Sequence, residues 1–276
     1  MSDDTLQISL LQHEPVPADI PAALQRLDRY CADASTSGSD LLVVPEASVT
    51  GYNIEKAQMQ QVALAADGET TAAIADICRR HNIAVAYGFA EHDNGAYYNC
   101  VQLIDYNGEV QGKYRKTHLW GDLDRTLFSP GDTLACHPHN TLSTLGGFKV
   151  GLLICYDIEF PECVRTLAMQ GAELILTPTG LMQPFSEVAE QVVPVRAYES
   201  QLFIAYANYC GCEKDLTYEG RSCIVGADGK DLARADQVTT LLTARISKQA
   251  IARQRSVLPY HQDRRPVLYS QPVFTS

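Results

Sequence analysis

Two short segments of the chain hold only apolar residues and glycine and then stop at a polar turn. They are Leu41-Leu42-Val43-Val44, before Pro45-Glu46, and Val150-Gly151-Leu152-Leu153-Ile154, before Cys155-Tyr156-Asp157. Short runs with no polar alternation are the mark of strands covered on both faces, because a half-exposed strand shows a polar residue at every second position. Such strands alternate along the chain with longer segments of helical periodicity. That order demands sheets layered beneath helices, an α/β class with some antiparallel pairings.

Strands are expected at 5–12, 41–44, 83–90, 96–105, 110–114, 150–154, 174–177, 203–207, 221–225 and 239–244, and helices at 17–34, 69–80, 161–170 and 188–201. Tyr106-Asn107-Gly108 reads as a hairpin turn between 96–105 and 110–114, and Gly226-Ala227-Asp228-Gly229 as the turn between 221–225 and 239–244. No linker, repeat or low-complexity stretch divides the sequence, so 1–276 is expected to be one domain. Residues 246–276, rich in Pro, Arg and Tyr from Leu258 on, read as a C-terminal extension packing at a subunit interface.

A formal charge of −11 argues against a nucleic-acid partner, which needs concentrated Lys and Arg. The acidic start MSDDTLQISLLQHEP lacks the basic end and long apolar run of a signal peptide, and no stretch reaches the length of a membrane span. A cytoplasmic protein is expected. Nine cysteines in such a chain do not make a disulfide framework. Cys210 and Cys212 form a C-x-C and His137 and His139 an H-x-H, but neither has a second pair at zinc-site spacing, so no metal site is expected.

Chemistry is concentrated at strand ends. Cys155 follows a buried strand, the position that faces the cleft in open α/β sheets, and reads either as a nucleophile or as a small core residue. Glu46 follows another strand as a base held in the cleft or a solvated loop residue, and Lys116 lies in the cationic cluster that ends a third. Together they have a logic: a carboxylate to take the thiol proton, an ammonium to hold an oxyanion, and a sulfur to carry an acyl group. His118 offers a rival Cys-His dyad, placed lower because it competes with Lys116 for the same strand face.

The stretches PEASVTGYN, YRKTHLWGDLDRTLFSPGD and GLLICYDIEFPE, in that order, resemble the three signature regions of the nitrilase (carbon-nitrogen hydrolase) superfamily. The resemblance implies a four-layer αββα sandwich of mixed sheets and a Glu-Lys-Cys triad at Glu46, Lys116 and Cys155. It also implies hydrolysis through a thioester without metal or cofactor, and homo-oligomers built from dimers. The additional glutamate of many members falls on Asp124, with Asp122 as the alternative. Cys155-Tyr156-Asp157 looks like the amide-cleaving branches rather than the nitrile-cleaving ones. Where the branch acting on ω-amides carries an Arg, this chain has Glu159, which either reads a substrate ammonium or caps the helix that starts near Pro161. With YANYCG at 206–211, the closest likeness is to amidases of the 5-aminopentanamide type and related stereoselective amidases.

Tyr52, Thr179 and Gly180 follow strands and are expected to line the pocket, with Tyr156 lending its backbone N–H to the oxyanion. Arg196 and Glu199 are read as an i, i+3 pair, with a subunit contact as one place for it. The rivals are an ω-amidase or N-carbamoyl amino-acid hydrolase, for which Arg125 or Arg165 would meet the substrate carboxylate, and a non-catalytic interaction module.

Overall fold

The computed structural model describes residues 4–16, 18–134 and 142–269. His137 and His139 therefore lie outside the described residues. The strands are β1 (Thr5–Gln12), β2 (Leu41–Val43), β3 (Ala84–Asp93), β4 (Ala96–Ile104), β5 (Val110–Arg115), β6 (Ser143–Leu145), β7 (Phe148–Leu152), β8 (Leu174–Pro178) and β9 (Phe203–Ala207). They continue with β10 (Cys212–Glu213), β11 (Leu216–Thr217), β12 (Cys223–Val225), β13 (Asp231–Arg234) and β14 (Thr240–Ser247). One six-stranded sheet runs β14-β1-β2-β3-β4-β5 and the other β13-β12-β9-β8-β7-β6, with β10 and β11 a separate hairpin. Both sheets are parallel at the centre, through β1-β2-β3 and β7-β8-β9, and antiparallel towards the edges.

The helices are α1 (Ile20–Thr36), α2 (Lys56–Val62), α3 (Glu69–His81), α4 (Gly121–Leu127), α5 (Pro161–Met169), α6 (Val193–Ser200) and α7 (Lys248–Val257), followed by two short turns of helix, Tyr260–Asp263 and Pro266–Tyr269. The unbroken apolar run of β2 is explained by its two partners. Leu41 and Val43 join the core between the sheets, while Leu42 faces the other way into the core beneath α1 and α3. Behind the second sheet, Val164 and Leu167 of α5 and Val193 and Ala197 of α6 close the fourth layer. The result is the αββα sandwich. No helix among the described residues is long and apolar enough to cross a membrane.

Several boundaries differ from the sequence reading. Helix α1 starts at Ile20 rather than 17, because the Asp19 side chain accepts the Ala22 N–H and caps it there. The 188–201 helix divides into a π turn, Val188–Val192, and α6, since Pro194 has no N–H to continue the ladder. The 226–229 turn leads not to 239–244 but to β13, an edge strand whose half-exposed sequence DLAR carries no apolar alternation. Strand β14 instead pairs with β1 in the other sheet and runs to Ser247, past position 246 where the sequence separated an extension. Helix α7 then buries Ile251 in the core, and Gln201 Nε2 donates to the Leu258 carbonyl, so the chain to 258 is built into the domain.

Candidate active site

Three strand ends converge. Pro45 ends β2, and the Glu46-Ala47 backbone crosses directly over β3 at Gly88. A Cβ at Gly88 would lie 2.3 Å from the Ala47 nitrogen, so only glycine permits that approach. Tyr209 donates its hydroxyl to the Glu46 carbonyl at 2.9 Å, and the Glu46 N–H reaches the Thr179 carbonyl of the second sheet. Lys116 follows β5. Its N–H donates to the Asn99 carbonyl, and its own carbonyl accepts from Gly131 in the FSPG loop.

The Lys116 ammonium is fully buried and lies 2.7 Å from Glu46 Oε1 and 2.7 Å from Asp124 Oδ2. Burial disfavours its charge, but the two carboxylates outweigh burial and hold its pKa well above the usual lysine range. Asn99 donates a further bond to Glu46 Oε1, and the Trp120 N–H one to Asp124 Oδ2. Each carboxylate keeps its other oxygen, Glu46 Oε2 and Asp124 Oδ1, buried and without a hydrogen-bond partner. Burial pushes the Glu46 pKa up; Lys116 pulls it back and the Asp124 charge pushes it up again.

Cys155 opens a tight turn, Cys155–Glu159, directly after β7. Its φ of +47° is in the left-handed region that a side-chain-bearing residue rarely adopts. Two neighbours impose it. Asp157 takes the Ile154 N–H and the Tyr114 hydroxyl on Oδ2, and the Thr117 hydroxyl and His118 N–H on Oδ1, fastening the turn to the segment that carries Lys116. Arg196 donates to the Ile158 and Glu159 carbonyls as well as pairing with Glu199, so it braces the turn rather than serving only as a helix pair. Burial and the Glu46 charge raise the thiol pKa, opposed by Lys116, the Thr179 hydroxyl and the Gly180 N–H.

A cavity of about 220 Å³ opens onto the sulfur, lined by Tyr52, Trp120, Tyr156, Glu159, Leu181 and Phe185, among others. Glu159 is half-buried and caps nothing: Phe160 occupies the N-cap of α5, with no side-chain bond. Burial raises the Glu159 pKa. The buried Tyr52 hydroxyl has no partner, and its ring lies under Lys116 Nζ at 5.8 Å.

The structure thus brings Glu46, Lys116, Cys155 and Asp124 together, with Thr179 and Gly180 at the thiol and Tyr52, Tyr156 and Glu159 in the cavity wall. Asp122 is exposed. His118 lines a different cleft, stacked on Phe160, and Arg125 is exposed while Arg165 faces Glu199, so neither arginine lines the cavity. Cys210 and Cys212 have different neighbours, Thr239 and Thr217, and do not converge. Sequence reasoning missed Asn99, Tyr209, Trp120 and the bracing by Asp157 and Arg196. The one available signal was Asn99, which with Gln102 is one of two amides set among the apolar residues of β4.

Residues 7–256 match the family model described as carbon-nitrogen hydrolase. A protein from Pseudomonas protegens named "Hydrolase in pqqF 5'region" is 43% identical over 96% of this chain and 91% of its own length. An "(R)-stereoselective amidase" from a Pseudomonas species is 37% identical over 83% of this chain and 81% of its own. An amidase from Nesterenkonia sp. superposes with a TM-score of 0.85 at 31% identity, covering 98% of this chain and 97% of that one. A variant of that amidase carries the acetamide moiety of fluoroacetamide covalently on its active-site cysteine. With Glu46 and Lys116 paired in the buried site and Cys155 opening onto the cavity, the chain belongs to the carbon-nitrogen hydrolase family.

Proposed function

We propose that this protein hydrolyses a small aliphatic or amino-acid-derived amide to carboxylate and ammonia through a thioester on Cys155, with an amino-amide such as 5-aminopentanamide as preferred substrate. The observation that carries the chemistry is the buried Glu46–Lys116–Asp124 bridge, with Glu46 Oε2 left unpartnered in the site that holds the thiol. As Cys155 Sγ attacks the amide carbon, Glu46 takes its proton. Lys116 has two N–H bonds committed to carboxylates, which leaves the third, with the Tyr156 N–H, for the oxyanion. Glu46 then protonates the amide nitrogen, the C–N bond breaks and ammonia leaves. Water, deprotonated by Glu46, attacks the thioester; the C–S bond breaks, the acid departs and the sulfur recovers its proton.

The amino-amide preference rests on Glu159, a carboxylate in a wall otherwise aromatic and aliphatic, a combination that suits an ammonium. None of the lining residues is Arg or Lys, which disfavours the carboxylate-bearing substrates of the rival hydrolases. The cavity is below the roughly 300–1,000 Å³ of pockets for drug-sized ligands, in keeping with a short acyl chain. All three triad residues are present, against a non-catalytic module.

The test is ammonia release from 5-aminopentanamide, propionamide, a cyclic amino-acid amide, glutaramate and a simple nitrile. Selective release from the amino-amides is expected, and Glu159→Gln should raise their KM at least tenfold with propionamide unchanged. A preference for glutaramate would overturn the assignment of Glu159. The same reading places the enzyme in the cytoplasm as a homodimer or higher oligomer, associating through exposed Met169, Val195 and Tyr198 on α5 and α6; sedimentation of a Val195→Asp, Tyr198→Asp variant checks the interface.

A further inference from the structure

A second cleft, of about 410 Å³, shares no lining residue with the Cys155 cavity and is bordered by His118, Asp132, Phe160, Glu162 and Cys163. At its base His118 Nδ1 lies 2.8 Å from Asp157 Oδ1 and 3.8 Å from Cys163 Sγ, and the three ligand atoms lie within 4.8 Å of one another. We propose that His118, Asp157 and Cys163 bind one zinc-type divalent cation, apart from the amide-hydrolysing centre.

The arrangement is not a second nucleophilic dyad. One imidazole nitrogen faces both the acid and the thiol, so the ring cannot take a proton from sulfur at one nitrogen while the acid orients the other. Three donors converging on one point make a chelate instead. In a tetrahedral zinc sphere, bonds of ~2.0–2.3 Å put neighbouring ligands about 3.3–3.8 Å apart, so only small shifts are needed. Thiolate, imidazole and carboxylate form a borderline-soft set that favours zinc or cadmium over magnesium or calcium.

The donors are already oriented. Phe160 stacks on the His118 ring at 3.9 Å between centroids, Asp157 is fully buried, and Cys163 projects from α5 with 1% exposure. Asp132 and Glu162 in the cleft raise the local cation concentration and leave room for water as the fourth ligand. On binding, the Cys163 S–H bond breaks and its proton passes to solvent, giving one metal–sulfur bond. Coordination through Asp157 Oδ1 competes with the bonds that oxygen accepts from the Thr117 hydroxyl and the His118 N–H, while Oδ2 keeps its bonds to Ile154 and Tyr114.

The experiment is a Cd²⁺ titration of the Cys155→Ala protein, which removes the active-site thiol, followed by equilibrium dialysis, the ultraviolet thiolate-to-cadmium band and ¹¹³Cd resonance. One ion per chain is expected, with a resonance typical of a single sulfur ligand and displacement by Zn²⁺. Adding Cys163→Ser should abolish the band and weaken binding at least tenfold, whereas adding Cys212→Ser should change neither. No uptake, a resonance without sulfur, or a band that survives Cys163→Ser would overturn the site, and the resonance decides the matter even where Cys163→Ser folds poorly.

Discussion

Asp124→Asn tests how the buried charges govern the base. Asparagine keeps the shape of the side chain and an acceptor oxygen for the Lys116 ammonium and Trp120 N–H, and removes only the charge. Both carboxylate oxygens lie 2.7 Å from the same nitrogen, which puts them within about 5.4 Å of each other. At that separation and an effective dielectric of ~20, two unit charges repel by about 3 kcal/mol, equivalent to about 2 pH units. Burial, the leading cause, holds the Glu46 pKa up, and Asp124 adds to it while Lys116 opposes both. Removing the Asp124 charge therefore lowers the Glu46 pKa. Glu46 accepts a proton only when ionised, so the acid limb of kcat/KM should move down in pH, by about 1 to 2 units after local relaxation. Propionamide is the right substrate for the profile, because Glu159 also titrates and would add its own limb with an amino-amide. A limb that stays in place or moves up would refute the electrostatic coupling.

Cys155→Ala should abolish ammonia release while leaving the melting temperature within a few degrees of the parent; substantial residual turnover would remove the thioester from the mechanism. Lys116→Met leaves two fully buried carboxylates without their cation and should cost about 3–5 kcal/mol in denaturant unfolding at neutral pH. A carboxylate whose folded pKa is raised is penalised above its unfolded pKa, so that loss should shrink as pH falls towards the ordinary carboxylate range; an undiminished loss in acid would mean packing, not charge, is the cause. Gly88→Ala forces its Cβ against the Ala47 nitrogen at 2.3 Å and should destabilise by about 1–3 kcal/mol with a fall in kcat as Glu46 shifts; unchanged kcat would show that the crossing does not position the base.

The strand ends were readable because burial on both faces leaves a mark in composition, and β2 carries it clearly: Leu41 and Val43 face one core, Leu42 the other. Edge strand β13 leaves no such mark, and its absence from the reading misassigned the 226–229 turn. The choice between Asp122 and Asp124 shows a subtler limit. The two stand on roughly opposite sides of a helix at about 100° per residue, so recognising α4 would have decided it, but seven residues containing a glycine and two aspartates give little helical signal. Asn99 was less accessible still. Its contact with Glu46 depends on β4 lying between β3 and β5, and on Glu46 being carried over β3 at Gly88.

The charges around Cys155 disfavour its thiolate. Two fully buried carboxylates, Glu46 and Asp124, already share the single Lys116 ammonium, and a thiolate beside them would add negative charge in a medium that solvates it poorly. That is why burial and Glu46 raise the Cys155 pKa against the pull of Lys116. In the proposed mechanism, proton transfer to Glu46 becomes favourable only as the sulfur bonds to carbon, because the negative charge then moves to the substrate oxygen, where Lys116 has its uncommitted N–H. In that mechanism the carboxylate that takes the thiol proton loses its charge as the oxyanion gains one, so the step adds no net charge to the site. The strained, braced turn at Cys155 serves that mechanism: it fixes the sulfur in the cavity wall, where the proposed amide substrate would arrive.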